Sequence, residues 1–101
     1  MKPIFERSAG NPILQAQDIP FPAEAVLNPG ACEHDGQIVL LLRVEDNAGY
    51  SSVYVARSDN GVDGWDIRQT PLLEYGNPRW RYEKWGVEDP RVTYLPEKGQ
   101  Y

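Results

Sequence analysis

Asn28, Arg43, Glu88 and Asp89 are the polar residues whose types and spacing could do chemistry in this sequence. Asp89 closes a Glu-Asp pair and precedes a proline in Gly86-Val87-Glu88-Asp89-Pro90-Arg91. A carboxyl group working as general acid on a glycosidic oxygen must hold its proton near neutral pH, which takes burial or a neighbouring negative charge. Glu88 offers such a charge and Arg91 pulls the other way, so the sign of the net shift stays open. An Asp-Pro pair is also an ordinary strand start with no function attached. Trp80, Tyr82 and Trp85 lie just before this acidic segment. Sugars stack their C–H faces on such rings while their hydroxyls bond to Asn, Asp and Arg; the commoner fate of a Trp is to cover a core.

These residues need a frame, and the chain reads as strands and turns. Nine Pro, nine Gly, three Trp and six Tyr suit short strands with tight connections. Residues 1–27 carry recurrent prolines and no persistent period, which predicts an extended arm lying on something else; one helical turn could form at Ala23–Leu27. From Asn28 the spacing predicts four strands across residues 28–69. The first is Gly30–His34, with a two-residue turn at Asp35-Gly36, and Gln37–Val44 follows. Ser51–Ser58 comes next, and then Trp65–Arg68. An antiparallel meander of about 40 residues has the dimensions of one β-propeller blade. Gln37–Val44 is apolar on both faces, as stacking between blades demands, although a sandwich core would read alike.

Residues 70–87 read as a connecting loop, after which the sequence restarts. Asp89-Pro90 echoes Asn28-Pro29, 61 positions on, and Gly99-Gln100-Tyr101 echoes Gly36-Gln37-Ile38. The echo predicts that residues 88–101 begin a second blade. It also sets Asn28 and Asp89 at the heads of neighbouring inner strands, where both could face one funnel. Arg43, ending the strand beside the first, would sit at the same mouth; it could equally be a solvated strand end next to Glu45 and Asp46.

Composition excludes several classes of partner. A formal charge of −5, a pI near 4.7 and no run of Lys or Arg lack the footprint that nucleic acid or anionic lipid requires. Cys32 is the single cysteine, so no intrachain disulfide or thiolate metal cluster is expected. His34 has no partner at metal-ligand spacing and reads, like Cys32, as an ordinary strand residue. No signal-peptide pattern opens the chain, and the longest aliphatic run, Ile38–Leu42, is too short for a bilayer, so a cytoplasmic protein is expected.

The ordered motifs Asn28-Pro29-Gly30-Ala31, Leu40-Leu41-Leu42-Arg43-Val44-Glu45-Asp46, Val55-Ala56-Arg57-Ser58 and Trp85-Gly86-Val87-Glu88-Asp89-Pro90-Arg91 resemble the N-terminal portion of glycoside hydrolase family 130. The resemblance runs from about Asn11 to Tyr101. It implies an all-β, five-bladed β-propeller and an inverting phosphorylase that cleaves a β-mannosyl disaccharide or oligosaccharide to α-mannose 1-phosphate. Mannosyl-glucose is the member substrate that the Leu-Arg-Val-Glu-Asp stretch suggests. By the same resemblance Asp89 is the catalytic acid and Asn28 and Arg43 bind mannose; Glu88 and Trp85, beside the acid, are the further substrate-binding candidates. No cofactor is implied; inorganic phosphate is the co-substrate and nucleophile, so no second carboxylate is needed as base. The family's phosphate-binding residues belong to later blades, so these 101 residues alone are expected to be inactive, with the remaining blades or a homo-oligomer covering the open faces. The rival expectations are a propeller hydrolase acting as β-mannosidase and a non-catalytic sugar-binding or structural fragment.

Overall fold

The apolar strand Gln37–Val44 dictates the architecture, because both of its faces must be kept from water. In the computed structural model, which describes residues 1–101, it is the second strand of a four-stranded antiparallel sheet. The strands are β1 (Ala25–His34), β2 (Gln37–Glu45), β3 (Ser51–Ser58) and β4 (Asp66–Ile67), in the order β1-β2-β3-β4. The fold is therefore all-β, with 3-10 turns at Ala16–Asp18 and Arg81–Glu83 as its only helical pieces. The Asp35-Gly36 turn has positive φ at both positions, 51° and 74°, as a two-residue hairpin of this hand requires.

Register assigns each side of β2 a partner. Leu40, Leu42 and Val44 point to one face, where they cluster with Ala56 of β3 and with Ile19. Ile19 comes from the proline-rich arm, and Ile13, Leu14, Phe21 and Ala23 pack on the same cluster, with Phe21 4.5 Å from the Tyr54 ring. Fully burying each such aliphatic side chain is worth about 1.5–3 kcal/mol, so the arm and this face stabilise each other. Val39, Leu41 and Arg43 point to the opposite face, beside Val53, Val55 and Arg57 of β3. Leu73 pairs with Val53 at the outer edge of β3, and residues 91–93 and 99–101 lie over that face, where Tyr101 donates its hydroxyl to the Glu33 carbonyl.

Several boundaries differ from the sequence reading. The first strand starts at Ala25, so Ala25–Leu27 is extended rather than a helical turn, and the arm ends before it. Pairing with Val44 and Glu45 on β2 draws these residues into the sheet. The fourth strand shrinks to Asp66–Ile67, and the connecting segment contains the Leu73 pairing and the turn at Arg81–Glu83. Of the expected second hairpin only the Leu95–Gln100 bridge forms, because residues 88–94 have no strand beside them to pair with.

Candidate functional site

Asn28-Pro29 interrupts the β1–β2 ladder. Leu27 pairs with Arg43 and Gly30 with Leu41, so two residues of β1 stand opposite Leu42 alone. Proline has no N–H for the ladder, and an extra residue at that point makes a bulge, which rotates the neighbouring side chain off its alternating course. Strict alternation after Leu27 would turn Asn28 away from Arg43. The bulge instead lets Asn28 reach the Arg43 side of the sheet, where its Nδ2 donates to Asp89 Oδ1 at 2.9 Å.

Asp89 arrives from the other direction. Gly30 has no side chain, and the Pro90 carbonyl and Val92 approach so closely that a Cβ there would stand 3.0 Å from each. The preceding loop is pinned by the Val87 amide, which donates to the Ser51 carbonyl at 2.9 Å. Asp89 has a φ of 49°, in the left-handed region that non-glycine residues seldom enter and that Asn and Asp tolerate better than most. A residue before proline is also restricted, so this conformation is held from outside. The partners that hold it are Asn28 and Arg43.

Arg43 uses its whole guanidinium. Nε donates to Ser51 Oγ at 3.0 Å, one terminal nitrogen lies 3.3 Å from Asp89 Oδ1, and the other lies 3.1 Å from Glu88 Oε1. The Arg43 side chain is 18% exposed, whereas Glu88 and Asp89 are half-exposed. The hydrogen bond from Asn28 is the largest influence on the Asp89 carboxyl and holds it below its ordinary pKa; partial desolvation opposes this and the Arg43 charge reinforces it. Asp89 is therefore a carboxylate at neutral pH. That settles the sign that Glu88 and Arg91 left open in the sequence, and it is the reverse of what a resting general acid needs.

Four of the five site residues singled out in the sequence thus meet. Trp85 makes none of these contacts: it is 67% exposed, with the Tyr50 ring 6.0 Å away and Lys84 Nζ 4.8 Å from its own ring centre. Trp80 and Tyr82 are also exposed, each under a neighbouring arginine. Ser51, 1% exposed, is the participant that sequence reasoning missed. Its signal was an arginine in an apolar strand, which needs a sheltered acceptor, and a serine eight residues on, across the hairpin. A second buttress stands beside it: Asp46 accepts from the amides of Ala48 and Tyr50 and from the Tyr75 hydroxyl at 2.7 Å, fixing the β2–β3 turn.

The cluster presents one Asp89 oxygen, the Asn28 amide oxygen and one Glu88 oxygen without partners in the chain. Acceptors grouped in this way around a fixed guanidinium suit a polyhydroxylated ligand, whose hydroxyls both donate and accept. No group of three or more His, Cys, Asp and Glu side chains is placed to hold a metal ion. No helix is long and apolar enough to cross a membrane. No protein-family model matches the chain, and no curated protein matches it significantly.

Proposed function

We propose that residues 1–101 supply the first blade, the start of the second and the sugar-binding end of a five-bladed propeller glycoside phosphorylase of the family 130 type. The observation that carries this reading is the convergence of Asn28, Arg43, Glu88 and Asp89, drawn from β1, β2 and a segment 61 residues from Asn28. In this reading Asn28 and Arg43 bind a mannosyl unit and Asp89 delivers a proton to the interglycosidic oxygen through a sugar hydroxyl. Orthophosphate then attacks the anomeric carbon from the opposite face to give α-mannose 1-phosphate. The substrate is a β-mannosyl disaccharide or short oligosaccharide, mannosyl-glucose first among them. The setting is cytoplasmic, with orthophosphate held by groups outside these residues and no organic cofactor or metal required.

A depressed Asp89 pKa supports a second reading for residues 1–101 by themselves, in which the carboxylate only accepts sugar hydroxyls. The two differ in what happens once sugar and further blades cover Asp89, since loss of solvent raises a carboxyl pKa. The protein translated from the complete gene decides between them. Given β-mannosyl-glucose, it is expected to form α-mannose 1-phosphate only when orthophosphate is added, and Asp89→Asn to abolish the reaction. Free mannose released without phosphate would make it a hydrolase; no turnover at all, with sugar binding intact, would make the site a binding site.

A further inference from the structure

On the carbohydrate reading, on which this inference rests, Asn28, Arg43 and Asp89 hold one hexose unit, and a second unit needs a surface beside them. Trp85 belongs to the loop that carries Glu88 and Asp89, and that loop is fastened down. The Gly86 amide donates to the Glu83 carbonyl at 3.3 Å and the Val87 amide to the Ser51 carbonyl at 2.9 Å. A Cβ on Gly86 would stand 3.5 Å from Glu88 Oε1, so the backbone next to Trp85 lies against that carboxylate.

Two further rings continue from Trp85. Tyr50 immediately precedes Ser51, the acceptor for Arg43 Nε, and its ring lies 6.0 Å from that of Trp85 and 5.0 Å from that of Tyr75. Tyr75 is tied at both ends: its hydroxyl donates to Asp46 at 2.7 Å and its amide to Ser52 Oγ at 3.1 Å. The row of Tyr75, Tyr50 and Trp85 therefore has a fixed end and an exposed one. Over the exposed end, 4.8 Å from the Trp85 ring centre, stands the Lys84 ammonium on a flexible, exposed stem. A cation over the indole marks its negative face, which the weakly positive C–H groups of a sugar can take in its place.

Sheet order gives the row a direction. Asn28 is on β1, Arg43 on β2 and Tyr50 at the head of β3, so Tyr50 stands on the side of Arg43 away from Asn28. With neighbouring strands about 4.8 Å apart, β1 to β3 spans roughly 10 Å, more than one pyranose ring and close to two.

We propose that Trp85, braced by Tyr50, is the stacking platform for the sugar unit on the leaving side of the glycosidic bond, and so sets a preference for disaccharide over monosaccharide. Asp89 faces the interglycosidic oxygen and marks the boundary: the mannosyl unit lies over Asn28 and Arg43, its neighbour over Trp85.

The test compares methyl β-mannoside with β-mannosyl-glucose, both titrated into the 101-residue chain and followed by NMR. The disaccharide should bind at least fivefold more tightly, with NOEs from the Trp85 ring to glucosyl C–H protons. In Trp85→Ala the ratio of the two affinities should fall to within twofold of unity, and Trp85→Phe should keep at least half of it. Trp80→Ala, which removes another exposed tryptophan of the same segment, should leave the ratio as it is. The NOEs on the unaltered chain carry the test if Trp85→Ala fails to fold. Equal affinities in the unaltered chain, an undiminished ratio in Trp85→Ala, an equal fall in Trp80→Ala, or no NOE to the glucosyl unit would overturn the platform; saturable methyl β-mannoside binding would then leave the carbohydrate reading standing. Failure of both sugars to bind would overturn that reading and the platform with it.

Discussion

Replacing Gly30 by alanine tests how the sheet sets the position of the acidic residue. Gly30 is buried in β1, and a Cβ there would lie 3.0 Å from the Pro90 carbonyl oxygen and 3.0 Å from Val92 Cγ2. The methyl group cannot be absorbed by a flexible side-chain tip alone, because one of the two atoms it meets is backbone. The segment bearing Asp89 must therefore lift from β1. Overpacking of this kind costs about 1–3 kcal/mol. With a urea dependence of about 1–2 kcal/mol/M for a small chain, the unfolding midpoint should fall by roughly 1 M. Lifting the segment also loosens the bond from Asn28, the main influence depressing the Asp89 pKa, so that pKa should rise toward its ordinary value. Carbon-detected NMR titration of the Asp89 carboxyl, run beside urea unfolding followed by fluorescence, reads both effects. An alanine variant with unchanged midpoint and unchanged Asp89 titration would refute the claim that Gly30 seats the Asp89 segment.

Other perturbations probe different supports. Ser51→Ala leaves the sheltered Arg43 Nε without its acceptor; a loss of about 1–3 kcal/mol in chemical unfolding is expected, together with weaker sugar binding. Phe21→Ala removes the ring that packs on Tyr54 and should cost about 1–3 kcal/mol in the same assay, below the 3–5 of a fully buried Phe. An unchanged midpoint would mean that the arm does not brace the sheet. Asp46 is held below its ordinary pKa chiefly by the Tyr75 hydroxyl, with its backbone bonds adding to this. A depressed carboxyl contributes stability that is present above its unfolded pKa and fades as pH falls through the folded value. Tyr75→Phe should therefore flatten the acid limb of the stability–pH curve; an unaltered acid limb would exclude that bond as its source.

Much of the frame was legible because turn chemistry and periodicity are local. Asp35-Gly36 marked the first hairpin, and the two-faced apolar run of β2 announced that something must cover both sides. The echo of Asn28-Pro29 in Asp89-Pro90 suggested that both side chains face one funnel; the two are hydrogen-bonded across 61 residues, although Asp89 heads no strand. Less visible was whatever depends on a third partner. Ala25–Leu27 has no strong strand signal of its own and is extended because β2 offers a ladder to it. Ser51 looks like any strand serine until the Arg43 side chain is seen to need an acceptor. The sign of the Asp89 shift was undecidable from Glu88 and Arg91 because its largest cause, Asn28, acts through space. The bulge that aims Asn28 at Asp89 is a matter of register, to which composition is blind.

If Asn28, Arg43 and Asp89 form one sugar-binding group, an NMR titration of the chain with β-mannosyl-glucose will report it directly. The Asn28 side-chain amide and the Arg43 Nε–H resonances should shift together and saturably. Arg43→Ala should abolish saturation, and Asp89→Asn should weaken it. Shifts confined to other residues, or saturation unchanged in both variants, would contradict the assignment of this cluster.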